Sequence, residues 1–188
     1  MIFSYIPKLS HQSYMMYFRQ VITFSVLLAL GSQISFMLPV SPVPFTLQTD
    51  ALIIISFLGG KKIAVGAVLV YFLQGIMGLP VFAGASSGIW AFFSFSGGYL
   101  LGFLPAAWIM GVCAERNLPT TKSGAIFTVM AGLFCIYVCG LLRLSMLVPA
   151  KQLLSLGLYP FVWNILFKLV ATPVFISLPG IKVLHKEK

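Results

Sequence analysis

Charge is what this sequence has least of. Of its 188 residues 8% are charged and 60% are hydrophobic, and the mean hydropathy is +1.03. Water-soluble domains carry about a quarter charged residues. So few charges cannot cover the surface of a soluble fold of this size, and the apolar surplus must face lipid. Cysteine is scarce too, and three cysteines exclude a disulfide framework. Cys113, Cys135 and Cys139 all fall inside apolar runs. Cys135 and Cys139 share a helix face at i, i+4, but no histidine or third cysteine stands near to complete a metal site. They read as small buried hydrophobes.

Catalytic groups are equally thin. Gly84-Ala85-Ser86 has the form of the GxS of intramembrane serine proteases, but such a serine needs a base within hydrogen-bond reach. The two histidines, His11 and His185, lie in terminal tails on the side opposite that serine. There is no HExxH, no pair of intramembrane aspartates and no phosphate-cradling GxxxxGK[ST] loop. The chain is therefore not read as an enzyme; no catalytic residue, metal or cofactor is expected. Nucleic acid is excluded as a partner although the net charge is +9, because the lysines and arginines are scattered and form no basic stripe. No cleavable leader is expected, since the apolar run 21–38 flows on without a cleavage site.

What is present is a series of apolar segments. A membrane helix uses about 20 residues, which leaves room for roughly six spans and no soluble domain. Breakers and charges cut them at 19–38, 46–58, 63–78, 97–114, 124–147 and 159–178. The second is short, which suits a tilted or protein-buried helix. Gly59-Gly60-Lys61-Lys62 separates it from the third. Segment 79–96, rich in Gly, Ser and aromatics, is too irregular for a lipid-facing helix. With six spans, one side receives Lys8, Arg19, Lys61, Lys62, Arg116, Lys122, Lys182, Lys186 and Lys188, and the other receives Arg143 and Lys151. The positive-inside rule then puts both termini in the cytoplasm. The expectation is a single all-α domain over 1–188, multi-pass in a membrane, with lipid bilayer as its surroundings.

The connections 39–45, 79–96 and 148–158 share the outer side. The first two carry no charge, and together the three form a candidate binding mouth. Two ionisable residues lie within the outer part of apolar segments, Asp50 and Lys168. Lys168 is too deep to snorkel easily and needs a partner, either Asp50 or a ligand carboxylate. Thr46, Gln48 and Asn164 add uncharged donors and acceptors, with Asn164 and Lys168 on one helix face at i, i+4. Helix-to-helix hydrogen bonds would explain them as well. Trp90, Tyr99, Tyr159 and Trp163 sit near outer ends, as an interfacial belt or as stacking surfaces. Gly98 and Gly102 form a GxxxG, and Ser25 and Ala29 a small-xxx-small pair able to face a partner subunit.

Three stretches carry a more specific pattern: Val43-Pro44-Phe45-Thr46-Leu47-Gln48-Thr49, Gly78-Leu79-Pro80-Val81-Phe82-Ala83-Gly84 and Gly97-Gly98-Tyr99-Leu100-Leu101-Gly102-Phe103. In order, spacing and six-helix layout the chain resembles the BioY family, the biotin-specific substrate-binding (S) components of energy-coupling factor (ECF) transporters. The resemblance implies high-affinity biotin uptake, with ligand held at the outer face beneath the 1–2 and 3–4 connections. It implies contacts from Phe45, Thr46 and Gln48, from Phe82, Ala83, Gly84, Ser86 and Ser87, from Tyr99, and from Asn164 and Lys168. In its sixth helix the chain reads Asn164 with Lys168 four positions on, where the family commonly has Asp followed three positions later by Lys. The implied partners are a transmembrane coupling subunit, met along helix one near Ser25 and Ala29, and two ABC-type ATPases. A related vitamin, a solitary transporter and a ligand-free membrane scaffold are the alternative readings.

Overall fold

The structure is a computed structural model that describes residues 11–176. Lys8, Lys182, Lys186, Lys188 and His185 lie outside the described residues, as does the end of the sixth expected segment. Seven helices follow in order: α1 (His11–Gln33), α2 (Gln48–Ile76), α3 (Gly97–Leu101), α4 (Phe103–Glu115), α5 (Lys122–Leu144), α6 (Leu153–Gly157) and α7 (Val162–Ile176). Five helical stretches are long and apolar enough to cross a membrane: Tyr14–Gln33, Gln48–Ile76, Gly97–Glu115, Lys122–Leu144 and Ala150–Val174. The chain is an all-α, multi-pass membrane protein. Its helices are apolar on both sides: Leu28, Leu52, Ile55 and Val68 are buried in the core, whereas Phe134, Phe167 and Val170 point outward, about 70% exposed, where only lipid offers a suitable solvent.

The second of these stretches is not one straight rod. At Gly60 the backbone adopts φ 66°, ψ −177°, a conformation essentially restricted to glycine. A continuous helix would hold Gln48 and Tyr71 about 35 Å apart. Instead Gln48 Nε2 donates to Tyr71 Oη at 2.5 Å, so the chain turns back on itself at Gly60. Glu115, at the end of α4, ties the turn down. It accepts from the Lys61 amide at 3.2 Å and pairs with Lys61 Nζ at 3.4 Å. Gly111 makes the approach of α4 possible, because a Cβ there would sit 2.4 Å from the Lys61 backbone.

The two glycines of the GxxxG, Gly98 and Gly102, serve the same purpose against α5. A Cβ at Gly98 would lie 2.4 Å from the Cys139 carbonyl, and one at Gly102 would lie 2.8 Å from Ile136 Cα. The i, i+4 cysteines thus belong to a close helix-helix seam between α3–α4 and α5. α5 also packs on α7, and α2 packs on both α1 and α4.

Two local features depart from the purely helical expectation. Residues Ser35–Phe36 (β1) pair antiparallel with Phe45–Thr46 (β2), in the register Ser35 with Thr46 and Phe36 with Phe45. Main-chain pairing satisfies polar groups in a connection that Pro39, Pro42 and Pro44 keep from being helical. The last stretch is not one continuous helix: α6 and a 3-10 turn over Tyr159–Phe161 precede α7.

The expected partner face on α1 needs correction. Ser25 is fully buried, donates to the Ile22 carbonyl at 2.8 Å and accepts from Gln74 Nε2 at 3.3 Å. Ala29 is half-buried against the core. The small pair seats α1 on the second arm of α2, while Ile22, Val26 and Leu30 point outward.

Candidate ligand-binding site

A cavity of about 340 Å³ opens at the end of the bundle where α2 begins. Its size is within the range of small-molecule sites, about 300–1,000 Å³. β2 and the first turn of α2 contribute Phe45, Thr46, Gln48 and Thr49. Segment 79–96 contributes Phe82, Ala83, Ser86, Ser87, Trp90, Ala91, Ser94 and Ser96. Tyr99, Leu100 and Phe103 form one side, Ile136 and Tyr137 of α5 another, and Phe161 and Asn164 the last. None of these lining residues is charged.

Several local devices fix this wall. Phe82 is tied into a one-turn loop by its amide, which donates to the Ser86 carbonyl at 3.0 Å. Its ring fills the space above Gly75, where a Cβ would come within 2.0 Å of it. It meets Tyr71 and Phe92 edge-on, at centroid distances of 5.3 and 5.6 Å. Gly84 turns the loop at φ 67°. Tyr99 is buried, donates to the Gly157 carbonyl at 2.8 Å and lies edge-on to Tyr137. It therefore joins α3 to α6.

Behind the wall lies the charge that the lining lacks. Lys168 is 1% exposed and pairs with Asp50 Oδ2 at 3.0 Å. Its ammonium also donates to Asn164 Oδ1 and stands 5.9 Å from the Phe45 ring centroid, within cation–π range. Asp50 occupies the first turn of α2, where a carboxylate also suits the helix dipole. Asp50, Lys168 and Gly84 do not line the cavity. Lys168 was expected as a direct contact; it is already paired with Asp50, and on the cavity side it meets Asn164 and the Phe45 ring.

Comparison with known proteins now has a geometry to explain. The sequence profile of the BioY family matches residues 9–183. The chain belongs to the BioY family. It is 38% identical over 148 residues to the biotin transporter BioY of Thermotoga maritima, covering 78% of this chain and 85% of that protein. It is 33% identical over 157 residues to the probable biotin transporter BioY of Pyrococcus horikoshii, covering 84% and 91%. The fold matches a crystal structure of the S-component for biotin from an ECF-type ABC transporter. The TM-score there is 0.78 at 20% identity, over 89% of this chain and 92% of the other.

The BioY stretches recognised in the sequence converge in space. Phe45, Thr46 and Gln48 of the first, Phe82 and Ala83 of the second and Tyr99 of the third all line the same cavity, together with Ser86, Ser87 and Asn164. Of the four outer aromatics, Tyr99 and Trp90 line it, whereas Tyr159 and Trp163 point outward. The sequence reading missed Ile136, Tyr137 and Phe161. Nothing in an apolar helix marks which of its faces meets a cavity, so no periodic signal was there to find them.

Proposed function

We propose that this BioY-family chain captures biotin at the outer face of a bacterial cytoplasmic membrane and is the S component of an ECF-type importer. The observation that carries the reading is the uncharged, aromatic-walled cavity with two amides, Gln48 and Asn164, set into it. Phe45, Phe82, Tyr99 and Phe161 offer apolar surface for a fused bicycle. The two amides supply polar partners for a cyclic urea. Asn164 has its oxygen engaged by Lys168, which leaves its N–H2 for the ligand's carbonyl. Because Lys168 is matched by Asp50, the ligand's carboxylate stays at the mouth, where water and the hydroxyls of Ser94 and Ser96 surround it.

The chain acts as one domain over 1–188 with six spans and cytoplasmic termini; the reversal at Gly60 supports counting α2 as two of them. Energy comes from a transmembrane coupling subunit and two ABC-type ATPases. They reach the S component through the outward face of α1, at Ile22, Val26 and Leu30.

Equilibrium binding of radiolabelled biotin to the detergent-purified chain tests the core of this reading, with desthiobiotin, riboflavin and thiamine as competitors. Saturable binding displaced by desthiobiotin alone is the expected outcome. Well-folded protein that binds no biotin would remove the ligand assignment and leave a related vitamin or a ligand-free scaffold.

A further inference from the structure

Tyr71 does not line the cavity, yet it is fully buried directly behind Gln48 and Phe82, which do. Its hydroxyl has a single proton, and beside the Ser32 side chain it has two close partners. Tyr71 Oη lies 3.0 Å from the Val81 carbonyl oxygen and 2.5 Å from Gln48 Nε2. A carbonyl only accepts, so the Tyr71 proton goes to Val81, and the phenol oxygen accepts from Gln48. Ser32 does not displace it. The Ser32 hydroxyl has one proton for two carbonyls, Ala29 at 2.6 Å and Val81 at 2.5 Å, so Val81 still draws on Tyr71.

The consequence reaches the cavity. Were the Gln48 amide reversed, its oxygen would face the Tyr71 oxygen and could be satisfied only by drawing the Tyr71 proton away from the Val81 carbonyl. Gln48 is therefore held with its N–H2 inward and its carbonyl oxygen on the side of Thr46, whose hydroxyl donates to it at 3.5 Å and leaves its second lone pair for a ligand. Thr46 and Gln48 both line the cavity.

We propose that Tyr71 is a specificity-determining residue: through its bonds to Val81 and Gln48 it fixes an acceptor, the Gln48 carbonyl, at the cavity wall, so that the site selects a ligand with a ring N–H at that point. The inference rests on the biotin reading and names one ureido N–H as the group selected. Tyr71 touches no ligand; it acts by positioning.

The probes are biotin and its two cyclic carbamate analogues, in which one ureido N–H or the other is replaced by a ring oxygen of nearly the same size. Wild-type chain is expected to bind one analogue at least about tenfold more weakly than biotin, the worth of exchanging a hydrogen bond to that carbonyl for a contact between two acceptors. In Tyr71→Phe the Gln48 amide is free to turn and offer N–H2 to the ring oxygen, so the gap should close to about threefold or less. Ser32→Ala removes a donor to Val81 but keeps the Tyr71 proton, and should retain the gap. A purely structural role for Tyr71 would weaken biotin and analogue alike and leave their ratio untouched; an intact ratio in Tyr71→Phe overturns the proposal. Equal affinity of wild-type chain for biotin and both analogues overturns it without any variant, even where Tyr71→Phe does not fold. Wild-type chain that binds no biotin overturns the biotin reading itself, and the ureido assignment with it.

Discussion

At Lys168 a single ammonium, 1% exposed, is held by Asp50, whose side chain is 31% exposed. The asymmetry decides which half of the pair matters more. Asp50→Asn leaves a buried cation without its counter-charge, a loss of about 3–5 kcal/mol, and should lower the melting temperature in detergent markedly. Lys168→Met leaves Asp50 within reach of water and should cost less. The double variant Asp50→Asn/Lys168→Met should recover most of the stability, because replacing a buried pair by apolar atoms is often neutral. A double variant as unstable as Asp50→Asn alone would mean that the pair is not what makes Asp50 necessary. Binding offers a second test. Among the cavity-lining residues Lys168 hydrogen-bonds Asn164 and stands over the Phe45 ring; if the hydrogen bond carries its effect, Lys168→Met and Asn164→Leu should each weaken biotin binding about tenfold and together by little more. Additive losses in that cycle would show that Lys168 reaches the ligand by another route.

Among the elements, the hairpin within α2 has the most exacting local requirement. Gly60→Ala forces a Cβ into a backbone region open essentially to glycine, at about 1–3 kcal/mol. Gly111→Leu drives a side chain into the Lys61 backbone and should separate α4 from the turn. Both variants should lower thermal stability while leaving the selectivity among vitamins unchanged, since neither touches the cavity; altered selectivity would mean that the turn shapes the site. The break itself was legible, because Gly59-Gly60-Lys61-Lys62 interrupts the hydropathy, and so was the irregular segment 79–96. The cluster of three stretches around one ligand was legible from their resemblance to a known family. The partner of Lys168 was narrowed to two candidates by depth alone. Tyr71 was invisible. One tyrosine in an apolar run gives no sign that its hydroxyl will meet Val81, because that meeting depends on the reversal at Gly60 and on Phe82 folding into the space over Gly75. For the same reason the orientation of Ser25 could not be read: a small residue fits an internal seam and a partner seam equally well.

Across the whole molecule, the basic residues among those described are unevenly divided between its two ends. Lys61 and Lys62 lie at the turn beside Glu115, with Arg116 and Lys122 following closely in the chain. Arg143 lies at the other end of α5, where it donates to the Phe93 carbonyl in the segment that covers the cavity. Ser155 belongs to the cavity end too, within α6, whose Gly157 accepts from Tyr99. Basic residues are enriched on the cytoplasmic side, and Lys61, Lys62, Arg116 and Lys122 outnumber Arg143 and Lys151 at the cavity end, so the mouth should open outward, as uptake requires. Single cysteines placed in a background lacking Cys113, Cys135 and Cys139 report this directly through a membrane-impermeant maleimide. Ser155→Cys should label in intact cells, whereas Thr120→Cys and Lys62→Cys should label only in inverted vesicles. The inverse pattern would point the cavity at the cytoplasm and defeat an uptake role. Lys62 carries a further discrimination. If the two arms of α2 are separate spans, residue 62 sits at the inner surface and labels with Thr120. If α2 crosses only once, residue 62 lies at mid-membrane and labels from neither side, and the count of spans falls to five.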